Sequence, residues 1–416
     1  MSTSDNQHYD ICIQGSGIVA RTLALLLAKE RFRVALVSTV KAESAGDDQP
    51  DVRAYALNAA SKNLLESLRV WPDADHATPV LGMQVHGDTT GRVNFSAAEH
   101  GSEALAWIVD VEALEAQLLL AVKYQPLITP ITSPIITPAA QVASAHLQDA
   151  AKSSKNEIRR DLTVICEGKN SVTRDLLGVE FEVTPYHQHA IAARLTGSLP
   201  HNNQAMQWFK NGDTNNQKYN EIVAFLPLSE PDQTESGNSV ALVWSVTEER
   251  VKELMAMNPQ EFAAEVAAHS EYTLGDMTLY SERATWPLQL ARADRWVGKH
   301  PVLGNWALAG DAAHTVHPLS GQGLNLGLAD VAELANVLSV VKHKEFWRPV
   351  GDMKLLRRYE RARKLDAFAL GTVTDGLQQL FARSESPLQV LRNWGMQGFE
   401  RSGGLKQWVT KRAMGL

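Results

Sequence analysis

Six residues near the start of the chain, Gly15-Ser16-Gly17-Ile18-Val19-Ala20, restrict the fold more than any other stretch. They follow a short apolar run at 9–14, open an apolar-periodic segment at 18–29, and are succeeded by a second apolar run at 33–37. Strand, glycine turn, helix and strand in that order form the dinucleotide fingerprint, here with alanine last, in the context that gives it meaning. A glycine pattern by itself would be weak evidence. It gains weight from a second stretch near the other end of the chain.

Residues 303–341, LGNWALAGDAAHTVHPLSGQGLNLGLADVAELANVLSVV, begin with an apolar run at 306–309 that reads as a buried strand. The run ends in Gly310-Asp311, which places a carboxylate at the carboxyl end of a strand, where ligands sit in α/β sheets. A loop with Pro318, Gly321 and Gly323 follows, and 324–341 has helical periodicity. Gly321 and Gly323 allow backbone N–H groups to approach a flat or anionic ligand, and the helix that begins there adds its positive end. The pattern suits a ring that must hold negative charge.

The string GDAAHTVHPLSGQGLNLGLADV closely resembles the segment by which aromatic-ring hydroxylases of the flavin monooxygenase superfamily hold FAD. Its wording is closest to the hydroxylases of ubiquinone biosynthesis, and the resemblance runs along nearly the whole chain. It implies that Asp311, after Gly310, binds the ribityl hydroxyls, and that Pro318, Gly321, Gly323, Leu324 and Asn325 lie beside the isoalloxazine. It also implies that Gly15, Gly17 and Ala20 complete the same cofactor site from the other end. Ser38 ends the second strand where the fingerprint usually has an acid for the adenosine ribose. Asp51-Val52-Arg53-Ala54-Tyr55-Ala56-Leu57-Asn58, with Ser61, matches the segment whose arginine approaches the cofactor, so Arg53 is a candidate contact; the residues alone also fit a helix N-terminal turn in which Arg53 pairs with a nearby carboxylate. Related hydroxylases usually carry Arg or Gln where Glu112 stands, and commonly Gln at Glu115. The run 166–174 resembles an element serving FAD and the approach of NAD(P)H, with Glu167, Gly168 and Arg174 as candidates and Glu167 in place of an aspartate. The alternative is that Glu167 and Arg174 tie strand to helix. Trp286-Pro287-Leu288 is similar to a strand lining the substrate pocket.

At 416 residues the chain is long for one core, so two joined domains are expected. The fold class is α/β, with a Rossmann-like FAD-binding domain, a discontinuous antiparallel-sheet substrate domain and C-terminal helices. The boundaries are 1–75, 111–180 and 291–345 for the FAD-binding parts, 76–110 for a substrate-domain hairpin insertion, 181–290 for the antiparallel sheet and 346–416 for the helical end. A net charge of -7 argues against nucleic acid. Cys12 and Cys166 sit in apolar runs and read as buried hydrophobes. His187, His189 and His201 lack metal-ligand spacing and read as sheet-surface residues, so no metal is expected. No signal peptide and no bilayer-spanning run is read, which gives a cytoplasmic location, peripheral to the inner membrane if the substrate requires it.

The resemblance implies an FAD-dependent monooxygenase that hydroxylates a polyprenylated phenol or benzoquinol by way of a flavin hydroperoxide. NAD(P)H or another reductant supplies electrons, and molecular oxygen is the co-substrate. The flavin carries the chemistry, so no acid or base residue is assigned. Ser38, Glu112 and Glu167 support a second reading, a non-catalytic or weakly FAD-binding subunit of a quinone-synthesis complex; a third is a flavin-dependent reductase. The segment 376–416 is cationic and studded with aromatics, which suits contact with a membrane or with a partner presenting the prenyl tail; packing onto the cofactor domain as ordinary core is the competing reading.

Overall fold

The computed structural model describes residues 8–38, 51–87, 91–132, 159–214, 217–229, 237–316, 322–382 and 402, with backbone alone at 211–214, 217–220 and 368–382. The first strand, β1 (His8–Gln14), buries Ile11, Cys12 and Ile13 completely, as a central parallel strand must when both its faces are covered. Helix α1 (Ile18–Lys29) presses Leu23, Ala24 and Leu27 onto it, and β2 (Val34–Ser38) runs parallel to β1. Next come β3 (Ala54–Leu57), α2 (Ala59–Ser67), β4 (Ala77–Val80), β5 (Gly82–His86), β6 (Arg92–Ser96), β7 (Ala106–Asp110), α3 (Val111–Tyr124) and β8 (Ile128–Thr132). Then follow β9 (Arg159–Ile165) and the short α4 (Val172–Leu176). The long meander consists of β10 (Phe181–Gly197), β11 (Gln204–Thr214), β12 (Gln217–Pro227) and β13 (Ser239–Thr247), then α5 (Glu248–Ala256), α6 (Pro259–His269), β14 (Met277–Leu279) and β15 (Ala284–Ala293). The chain closes with β16 (Val297–His300), β17 (Gly304–Leu308), β18 (His314–Thr315), α7 (Gly323–His343) and α8 (Met353–Ala382).

These strands form three sheets among the described residues. The first has the order β16-β17-β9-β1-β2-β8, with every pair parallel except β16 on β17. The second, antiparallel except where β5 lies parallel to β11, has the order β18-β15-β10-β13-β12-β11-β5-β6, with β14 on β10. Its back face, Ile191, Leu195, Trp208, Phe225, Leu242 and Trp244, packs on α5 and α6 through Leu254, Phe262 and Val266. Between the two sheets lies a small third one, β3-β7-β4.

Several expectations differ from the structure. Segment 51–58, one reading of which was a helix N-terminal turn, is extended, because β3 pairs with β7, a partner some fifty residues away that local pattern does not reveal. The polar residues 211–214 and 217–220 are strand, their backbone continuing the β11–β12 ladder as far as Thr214 opposite Gln217. His201 is buried in a turn, with Nε2 at 3.1 Å from the Leu228 carbonyl and Nδ1 accepting from Asn203 N at 3.0 Å. Helix α7, at 21 residues, is long and apolar enough by composition to cross a membrane, contrary to the expectation of no such run. Its apolar side chains are used elsewhere, since 61% of its most apolar window is buried, with Val331, Leu334 and Leu338 in the core.

Candidate functional site

The register of the parallel sheet sets the site. Gln14 lies opposite Val37 and Ile165, and Ile165 lies opposite Leu308, so four strands end on one line. Gly15, Ser38, Glu167 and Gly310-Asp311 leave the sheet at that edge. At Gly15 φ is +127°, and a Cβ would stand 2.3 Å from the Cys166 carbonyl oxygen, so no other residue fits without moving the strand end. Gly310 (φ +64°) and Gly327 both close on Val19, where added Cβ atoms would lie 3.2 and 2.9 Å from its methyl groups. α1, α7 and the Gly310 turn are thereby drawn together.

Two helix N-termini at this edge differ from the rest. α2, α3, α4, α5 and α6 are capped by the side chains of Asn58, Asp110, Ser171, Thr247 and Asn258, and Asp352 accepts from Lys354 N and Leu355 N at the start of α8. α1, entered through Gly17, and α7, entered through Gln322, have no side-chain cap. Uncapped first-turn N–H groups and the positive end of the helix dipole are what a diphosphate or an anionic ring requires. Cβ atoms added at Gly17 and Gly323 would meet nothing within 4 Å, so these glycines leave room that the protein itself does not fill. Asp311 reaches solvent on this open side while protein surrounds the rest of it, and that burial pushes its carboxyl above the usual range although His314, Lys169 and Arg53 oppose the shift. Two free helix ends, two unfilled glycine positions and one carboxylate are compatible with a bound FAD.

Beneath Asp311 lies a network that sequence reasoning did not single out. Asp330 of α7 is fully buried and accepts from Gly310 N (3.0 Å), His314 Nε2 (2.6 Å) and Arg363 Nε of α8 (2.9 Å). These partners hold its pKa below the ordinary value against burial, which acts the other way and is the largest single influence. His314 stacks on Trp296 at 4.9 Å. The signal was present, since Asp330 and His314 both belong to the string quoted above, but no spacing rule pairs them across 16 residues.

Asn325 is buried and joins α7 to the β3–α2 segment, accepting from Asn58 N (3.0 Å) and Ser61 Oγ (2.7 Å) and donating to the Ala56 carbonyl (2.8 Å). Arg53 is exposed and forms a bidentate pair with Asp51. Arg194 of β10, also missed, grips Asp110 with both guanidinium ends (2.9 and 3.0 Å) and donates to the Asp51 and Val52 carbonyls, tying the antiparallel sheet to the Arg53 segment. Ala20 is buried against the core of the parallel sheet, and Leu324 is half-buried in the first turn of α7. Ser38 stands at the end of β2 with its Oγ 3.5 Å from Thr132 Oγ1.

The structure gives Glu167 an internal task. Its carboxylate accepts from Ser171 Oγ (2.7 Å), Thr173 N (3.0 Å) and Thr173 Oγ1 (2.7 Å), which secures the turn into α4. Arg174 is buried, stacks on Phe181 at 3.6 Å and donates to the Ala312 carbonyl at 3.4 Å, next to Asp311. Gly168 has φ +79° and open space around it. Glu115 pairs with Arg21 at 3.4 Å between α3 and α1, while Glu112 is exposed. Trp286 pairs with Ala190 on the front of the antiparallel sheet, Pro287 is exposed and Leu288 is buried. Pro318 and Gly321 lie outside the described residues, as does most of 376–416. Cys12 and Cys166 are both free and buried, and burial raises the Cys12 thiol to about 11.

Fold and relatives together give the class: an FAD-dependent monooxygenase. The chain belongs to the family described as FAD binding domain, whose model matches residues 8–370. It is 32% identical over 417 residues to the 3-demethoxyubiquinol 3-hydroxylase of Escherichia coli (strain K12), covering 99% of this chain and 100% of that one. It is 28% identical to ubiquinone hydroxylase UbiL of Rhodospirillum rubrum, covering 98% of this chain and 89% of the relative. The crystal structure of p-nitrophenol 4-monooxygenase PnpA from Pseudomonas putida DLL-E4 shares the fold, with a TM-score of 0.69 at 15% identity, covering 98% of each chain.

Proposed function

We propose that this chain hydroxylates the aromatic ring of a polyprenylated phenol or benzoquinol in ubiquinone biosynthesis. The observation that carries the reading is the pairing of two uncapped helix N-termini with Asp311 at one strand edge, beside a sheet whose front face carries Trp286. The full-length likeness to ubiquinone hydroxylases supports the choice of substrate. FAD, when bound, supplies the activation of oxygen. The chain's own residues do the rest. The first turn of α1, behind Gly15 and Gly17, holds the diphosphate; Ser38 meets the adenosine ribose; Asp311 accepts from ribityl hydroxyls. The first turn of α7 at Gly323 faces the ring, where the helix dipole favours negative charge. Asn325 fixes that turn against β3, so Arg53 enters from a segment that Arg194 and Asp110 hold in place. The front of the antiparallel sheet excludes water from the reacting ring. The reductant is NAD(P)H or another donor arriving at the surface. The cationic segment 376–416 meets the membrane, or a partner of a quinone-synthesis assembly, from which the prenyl chain is drawn.

Purified protein should carry a flavin spectrum and consume oxygen only when a prenylated phenol and a reductant are both present, with a hydroxylated ring as product. Oxygen uptake without ring hydroxylation would leave a reductase, and colourless protein that cannot be loaded with FAD would leave a non-catalytic subunit.

A further inference from the structure

The front face of the antiparallel sheet carries a row of small side chains that ends at a polar group with no partner. Ladder pairing lines up Ala284 of β15, Ala192 of β10, Val243 of β13, Ala224 of β12 and Gln207 of β11. Their neighbours along each strand, such as Ile191, Leu242, Phe225 and Trp208, belong to the back-face core, so alternation puts the whole row on the front. At one end the row begins at Ala284 of β15, seven residues before Ala291, which pairs with Thr315. Along one side the next positions, Ala241, Leu226 and Ala205, are sealed by Ile108, Ala54 and Ala56 of the small sheet. Along the other side stand Trp286, Ala190, Ser245, Ile222 and Phe209. Ala224 and Val243 stay half-exposed in the middle of this otherwise covered face.

Gln207 is 94% buried, since only 6% of its surface is accessible. No described residue hydrogen-bonds its side-chain amide, and the atoms of that amide keep a sliver of exposure. Ser245, 3% exposed on the same face, has no side-chain partner either. A nearly buried primary amide with no hydrogen bond to a described residue is unfavourable, whereas Leu or Met would fill the position without that cost. The sheet therefore retains a donor and acceptor for something it does not itself contain.

We propose that the substrate ring lies along the Ala192–Val243–Ala224 row and that Gln207 hydrogen-bonds an oxygen substituent of that ring. The proposal rests on the hydroxylase reading above. The row accepts a flat ring because its side chains are short, and the lone amide matches a neutral phenol hydroxyl or methoxy group better than a carboxylate, which would call for a cation.

The test uses FAD-loaded full-length protein, with binding followed by perturbation of the flavin absorbance. The probes are 2-prenylphenol and prenylbenzene, which lacks the oxygen. Gln207→Met should weaken 2-prenylphenol about 5- to 10-fold, the worth of one neutral hydrogen bond, and leave prenylbenzene, FAD content and melting temperature undiminished. Unchanged phenol binding, or an equal loss on both probes, would overturn the assignment. Should Gln207→Met fail to retain FAD, Ala224→Leu carries the test: it should weaken both probes at least tenfold with FAD kept, and unaltered binding there overturns the placement of the ring. Wild-type protein that responds to neither probe would instead sink the hydroxylase reading itself, and this inference with it.

Discussion

The carboxyl edge of the parallel sheet and the back face of the antiparallel sheet handle polar groups in opposite ways. On the back face, buried Glu221 receives Trp244 Nε1 (3.1 Å), His269 Nε2 (3.3 Å) and Arg250 Nε (3.3 Å), and Arg250 goes on to Glu265. α5 and α6, which cover that face, are both capped. At the carboxyl edge α1 and α7 begin uncapped, and burial holds the Asp311 carboxyl above its ordinary pKa. The Glu221 cluster of the back face is satisfied within the protein and its part is stability, although Trp208 Nε1 on the same face has no hydrogen-bond partner among the described residues. The carboxyl edge leaves donors and space, and so is organised for a ligand.

The largest effect is expected at Asp330, where the edge does pair buried polar groups of its own. Asp330→Ala leaves Arg363 and the Gly310 N–H buried without their acceptor, and removing one partner from a buried ion pair is expected to destabilise by about 3–5 kcal/mol. Urea unfolding with and without FAD measures it. A loss under about 1 kcal/mol would mean that the turn is supported by other contacts.

Asp311→Ala should separate function from stability. It should weaken FAD by about 1.5–3 kcal/mol, the range for a hydrogen bond to a charged group, or roughly 10- to 150-fold in Kd. Because burial raises the carboxyl, its ionised form is disfavoured in the FAD-free protein, so the apoprotein's melting temperature at neutral pH should hold or rise. A fall in apoprotein stability with FAD affinity intact would assign Asp311 to the scaffold. A smaller change is expected of Ser38→Glu at the strand end, where a charge-assisted bond to the ribose should tighten FAD about 3- to 10-fold by fluorescence titration. Weaker binding would show that Ser38 faces β8, as its contact with Thr132 suggests, rather than the cofactor.

How much of this was legible follows from how local each signal is. The parallel βαβ unit and α7 were readable because each couples one apolar run to one glycine turn, and the strand ends fell close to the positions read from sequence. The β3-β7-β4 sheet was not, because Tyr55 meets Val109 only after an intervening helix and hairpin have formed. Glu167 was readable as a polar turn residue in either of two roles; the hydroxyls of Ser171 and Thr173 that occupy it are four and six residues away, within a loop whose conformation sequence does not reveal. The Asp330–His314–Arg363 network joins three elements, and Gln207 stands out only once ladder register shows which face it occupies. In both cases the information lies in pairing between distant segments.

The smallest effect tests the self-satisfied side of the comparison. Burial alone would lower the pKa of His269, but the hydrogen bond and charge of Glu221, with the carbonyl and carboxylate of Glu265, outweigh it and raise the group above its ordinary 6.5. Arg250 also faces Glu221 and Glu265, so it competes for the same carboxylates and limits the gain. A histidine whose folded pKa is raised contributes stability that is fully present below the unfolded value, where both states are protonated, and that is lost as pH rises through the folded value. Unfolding free energy should therefore fall as pH is raised from below 6.5 past the folded pKa of His269. His269→Gln should remove this component of the slope while leaving FAD affinity unchanged. If the slope persists in that variant, the titrating group lies elsewhere; if FAD affinity moves with it, the back face is coupled to the carboxyl edge and the two regions do not divide stability from binding.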